Sequence, residues 1–151
     1  MQSALQIEQH TYRVRQKAFK DWESLIRSPP LVYAETNDIR SFLQFSLTSV
    51  IADELRTMVG WAHPDLIFLL KGAPVNLFVD CTFKMVPRGF DQCLILMIYE
   101  RATGLYIPIF YVLLQGKHED VYIHAIQNII SQCGWKIRAA SFTYQCIRRS
   151  N

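Results

Sequence analysis

Apolar positions recur along the chain with two different periods. From about Glu8 to Arg27, Tyr12, Arg15, Phe19, Trp22 and Ile26 fall near one face at helical spacing, which predicts a helix. Ser28-Pro29-Pro30 ends it, because proline lacks an amide donor and disfavours helix in the residue before it. A second helix is predicted over Ile39–Val59. There Ile39, Phe42, Leu43, Leu47, Val50, Ile51, Leu55, Met58 and Val59 follow at three- and four-residue steps. Thr36, Asn37 and Asp38 offer it caps, and Gly60 offers a stop. An apolar stripe this wide needs a partner surface.

Around Pro64 the period changes. In Val75–Val86 the odd positions Val75, Leu77, Val79, Cys81, Phe83 and Met85 are apolar, while the even positions are mostly polar. That is the two-residue period of a half-buried strand. Val86-Pro87-Arg88-Gly89 reads as a type I turn. A second strand follows at about Gln92–Tyr99, a hairpin loop at Glu100–Gly104 and a third strand at Leu105–Leu114. Pro108 places part of that third strand at an edge or a bulge. A helix is predicted over Glu119–Cys133, with Tyr122, Ile126, Ile129 and Cys133 inward, and a fourth strand over Ile137–Thr143. Right-handed crossover puts that strand beside the first and parallel to it.

The expected fold class is therefore α/β: three antiparallel strands, a crossover helix and a fourth strand, preceded by two helices. Residues 1–60 read as an N-terminal helical region and residues 61–151 as the α/β domain.

Composition narrows the function classes. Of 151 residues, 50% are hydrophobic and 19% charged, which excludes a low-complexity chain. The formal net charge of +3 is compatible with nucleic acid without pointing to it. Cys81, Cys93, Cys133 and Cys146 form no C-x-x-C pair, so buried reduced thiols are expected rather than a zinc ribbon. The longest apolar run, Leu105–Leu114, is too short for a bilayer, which needs about 20 residues. With no apolar stretch in Met1–Arg15, the reading is an intracellular protein without membrane contact. Nucleotide-binding glycine loops and a serine-hydrolase elbow are missing. His118 and His124, six apart, do not share a helix face as a metal pair.

Asp80 is the residue to weigh, because it interrupts the apolar strand Leu77-Phe78-Val79-Asp80-Cys81-Thr82-Phe83. A carboxylate there is solvated, bonded to a backbone amide, or bound to a cation. The stretch Phe78–Lys84, then Val86-Pro87-Arg88-Gly89-Phe90 and Gln92, resembles the start of the Mutator-like (MULE) transposase domain. Ile107–Leu114 and Lys117–Ile130 resemble its following strand and helix, so the likeness spans about Asn76–Thr143. The resemblance implies a ribonuclease H-like fold and a DDE active site that cuts and joins DNA during transposition. It also implies two Mg²⁺ or Mn²⁺ ions, with Asp80 as the first metal ligand and catalytic carboxylate, and a nuclear site of action.

The chain departs from that pattern. Where the family places its second Asp, after Ser141-Phe142-Thr143, Gln145 stands instead, and Val121–Asn151 holds no carboxylate. The expectation is thus a truncated transposable-element protein, inactive alone. Asp91 and Glu100 are conceivable substitute ligands that no spacing recommends. A non-catalytic DNA-binding module would use Arg13, Arg15, Lys17, Lys20, Lys84 and Arg88. A protein-interaction module would use the Ile39–Val59 stripe. The exposed edge of the fourth strand predicts a protein that is marginal, homo-oligomeric or aggregation-prone when expressed alone.

Overall fold

The computed structural model describes residues 31–145 except Met85, together with Gln6, Gln9, His10, Arg13, Ser28 and Pro29. The predicted Glu8–Arg27 helix lies mostly outside the described residues; of it, Gln9, His10 and Arg13 are helical.

The predicted Ile39–Val59 helix is replaced by strands. β1 (Tyr33–Glu35) and β2 (Asp38–Ser41) form a small antiparallel ribbon, and β3 (Leu43–Ile51) and β4 (Glu54–Ala62) form a hairpin. The hairpin closes through Ala52 and Asp53, whose φ angles are +50° and +62°. Positive φ at both central residues is what a two-residue type I′ hairpin demands, and Ile51 pairs directly with Glu54 across it. Leu43, Phe45, Leu47 and Ile51 also alternate at a period of two, and Thr48, Val50 and Ile51 are β-branched. The residues satisfied both periods, and pairing with the rest of the sheet selected the strand. The helical stripe assigned to Ile39–Val59 is divided instead: Phe45, Ile51, Met58 and Val59 are buried, whereas Ile39, Val50 and Leu55 are exposed.

A short helix, α1 (Pro64–Lys71), follows, capped by His63, whose Nδ1 accepts from the Asp65 amide at 3.2 Å. Then come β5 (Val75–Thr82), β6 (Gln92–Glu100), β7 (Leu105–Leu114), the helix α2 (Glu119–Gln132) and β8 (Ala139–Gln145). The sheet has six strands in the order β3-β4-β7-β6-β5-β8. All pairs are antiparallel except β5 with β8.

This overturns the expected class. Among the described residues the architecture is mostly β, with eight strands and two helices of eight residues or more, and no pair of helices leads into it as the α/β ribonuclease H-like expectation required. The element positions in the second half do agree with the pattern of alternation, including β8 beside and parallel to β5. Pro108 sits where the register of β6 and β7 shifts, beyond the last rung between β7 and β4. There the ladder asks for no amide donor. The turn before β6 lies one residue later than predicted. The Phe90 amide donates to Pro87 O at 3.1 Å, and Gly89, at its third position, has φ +95°. A type II turn asks for that positive φ at its third residue.

The core lies between one sheet face and α2. Val121, Ala125 and Ile129 of α2 pack with Leu77, Val79, Leu94, Leu96, Phe110, Val112 and Met58. One buried polar group is built into it. Gln92 is fully buried; its Nε2 donates to Gly116 O at 2.7 Å, and Tyr122 Oη donates to its Oε1 at 2.6 Å. These bonds tie the start of β6 to the β7–α2 loop and to α2. Tyr122→Phe removes the donor and leaves Oε1 buried without a partner. It is expected to cost about 1–3 kcal/mol, read from the urea midpoint at unchanged slope.

The opposite sheet face is also apolar. Phe78 meets Tyr106 edge-on at 4.9 Å between ring centroids, and Tyr106 lies 5.1 Å from Tyr99. Asp80 belongs to this second face, because Leu77, Val79 and Cys81 point to the core and strand residues alternate.

Candidate functional site

Asp80 lies near the carboxyl end of β5 and is exposed. Its Oδ1 accepts from the Cys81 amide at 2.8 Å, so the carboxylate is bonded to a backbone amide within its own strand. Its neighbours across the sheet are Ile95 on β6 and Gln145 on β8. The tertiary structure thus brings Asp80 beside the position where the family resemblance implied a second Asp, and that position holds an amide.

The other carboxylates are elsewhere. Asp91 Oδ2 accepts from the Gly116 amide at 2.5 Å and holds the β7–α2 loop. Glu100 pairs with Leu105 at the opposite end of β6, and its Oε2 accepts from Thr103 Oγ1 at 2.6 Å. By strand rise, Glu100 is about 16 Å along the sheet from Asp80. Among the described residues no three His, Cys, Asp or Glu side chains stand together as a metal-binding group. The pair of divalent ions implied by the resemblance therefore does not fit. Two hard cations need several oxygen ligands, and here one carboxylate faces one neutral amide.

Basic groups gather at this end of the sheet. Lys84 and Arg88 are exposed in the β5–β6 loop. Lys117 in the β7–α2 loop joins them, its Nζ 5.6 Å from the centre of the Phe83 ring. Such a cation–π contact fixes the ammonium over the loop that carries Lys84. The strand alternation marked Phe83 as apolar, but nothing in the local pattern paired it with Lys117. Arg13 is helical and exposed, whereas Arg15, Lys17 and Lys20 lie outside the described residues.

The thiols divide. Cys93 and Cys133 are free, whereas Cys81 is disulfide-bonded, against the expectation that it would be a reduced thiol. Cys146 lies outside the described residues. Burial pushes the Cys133 thiol up to about 11, an effect that the charge of Lys71 partly offsets. Away from this edge, Arg40 bonds both Asp38 and Asp65. Its guanidinium holds Asp38 down at about 2 and lowers Asp65.

Among the described residues no helix is long and apolar enough to cross a membrane. Comparison with protein-family models, with curated proteins and with solved structures returned no match to this chain.

Proposed function

We propose that this chain derives from a DNA transposase of the Mutator-like class and acts without strand-cleaving chemistry, through nucleic-acid contacts at the carboxyl end of β5. The motif Phe78–Lys84 with Val86–Phe90 and Gln92 motivates the ancestry. The observation that carries the loss of chemistry is the rung joining Asp80 to Gln145. Strand transfer by two metal ions needs carboxylates that bridge ions about 3.5–4 Å apart and offset their charge. A neutral amide beside a single carboxylate, whose Oδ1 is already bonded to a backbone amide, supplies neither.

Lys84, Arg88 and Lys117 supply what remains, positive charge on exposed loops beside Asp80. Three phosphate contacts give a binding constant whose logarithm falls with log salt at a slope of about −3.

The test uses the purified chain and a labelled DNA duplex with Mg²⁺ or Mn²⁺. No nicked or joined product is expected, and binding should weaken as salt rises. Lys84→Ala with Arg88→Ala should reduce the salt slope by about 2. Turnover that vanishes in Asp80→Asn refutes the silent site. Absence of binding at low salt refutes the DNA contacts.

A further inference from the structure

Among the described residues β8 ends the sheet and pairs only with β5. All seven of its residues, Ala139-Ala140-Ser141-Phe142-Thr143-Tyr144-Gln145, are exposed. The strand carries no charge and no proline, the two features with which sheet edges commonly resist pairing. Its α2-facing side is apolar. Phe142 is 51% exposed, Tyr144 45% and the neighbouring Trp135 69%. Between β8 and α2 runs a groove of about 560 Å³, floored by Tyr122, Ile126, Phe142 and Tyr144. A second hollow of about 240 Å³ beneath Trp135 shares Ile126 and Phe142 with it. Tyr144 meets Tyr122 edge-on at 5.7 Å, which holds the strand's aromatic side toward the groove.

We infer that two copies of this chain associate edge to edge along β8, antiparallel about a two-fold axis at Phe142, joining their sheets into one. Closed association of identical edges requires such an axis, because each surface must be its own complement. The strand meets that condition. The axis sets Ser141 opposite the partner's Thr143 and Phe142 opposite the partner's Phe142, so ring faces ring, and Ser141 Oγ, which donates to Asn76 Oδ1 at 2.9 Å, is left to accept from the partner's Thr143. Both are favourable cross-strand pairs. Within the paired strands no like charges meet, because Ala139–Gln145 holds no charged residue. Arg138 immediately precedes β8, and antiparallel pairing sets the two Arg138 residues about 25 Å apart by strand rise. That is well beyond the screening length of about 8–10 Å in physiological salt. The inference does not rest on the DNA-contact reading, whose basic residues lie in the β5–β6 and β7–α2 loops and not on β8.

The test measures the solution mass of the full chain by light scattering, and amide exchange at dilute and concentrated protein. The expected result is twice the chain mass, with β8 amides at Ser141–Thr143 slowing severalfold as concentration rises. Ser141→Lys with Thr143→Lys places four ammonium groups around the axis and should give a monomer. Mixing that chain with one carrying Ser141→Glu and Thr143→Glu should restore a mixed dimer. A monomeric wild type, a dimer that the lysine pair leaves intact, or β8 exchange independent of concentration each overturns the inference. The exchange measurement needs no variant to fold.

Discussion

Phe110→Ala lowers the unfolding free energy by about 3–5 kcal/mol, a large share of the 5–15 kcal/mol typical of such a chain. Phe110 has no exposed surface and sits on β7 between Ala62 of β4 and Leu96 of β6. Truncation removes the ring's transfer energy and opens a cavity that neighbours anchored in three strands cannot collapse to fill. The adjacent Tyr111 is the internal control. It lies on the other sheet face and is 39% exposed, so Tyr111→Ala should cost about 1 kcal/mol or less. Urea unfolding followed by circular dichroism measures both. Equal losses at the two positions would show that β7 is not buried with this parity.

Gly60→Ala is the second large effect, and it reports on the segment where strand replaced helix. A Cβ at Gly60 would stand 2.4 Å from Cζ of the Phe45 ring, far inside contact distance. Phe45 and Gly60 are partners across the β3–β4 hairpin, and Phe45 is buried at 7% exposure, so its ring has little room to withdraw. The substitution is expected to cost about 1–3 kcal/mol by overpacking. In a Phe45→Ala background the added methyl meets empty space, and the extra cost should fall close to zero. The double-mutant cycle then shows a coupling of about 1 kcal/mol or more. Had Gly60 merely ended a helix, the two substitutions would add independently.

The legible parts of the fold were those where one period excluded the other. Val75–Cys81 alternates cleanly, and Glu119–Gln132 carries inward residues at helical steps only, so both elements were readable along with the hairpin strands between them. Leu43–Ala62 was ambiguous because its apolar residues fit helix and strand alike. The left-handed Ala52-Asp53 turn that closes the hairpin is not a glycine or asparagine pair, so it gave no local signal. Pro64–Lys71 forms only two turns of helix, too short for a periodic signal, and it was missed. At the candidate site, the anomaly of Asp80 was readable from one strand. Its pairing with Gln145 needed the crossover, and the Phe83–Lys117 contact needed two loops to meet.

Residue order alone determined which stretches alternate, where Asp80 interrupts them, and that the position implied for a second carboxylate holds Gln145. These are local properties, set by side-chain chemistry and by the two-residue geometry of an extended backbone. Tertiary structure alone decided that residues 43–62 are strands, because hydrogen bonds from β4 to β7 outweigh a local helical period. It also decided that β4 joins β7 and so sets β3 at the far edge of the six-stranded sheet. Pairing partners lie tens of residues apart, and no local pattern states that β4 meets β7.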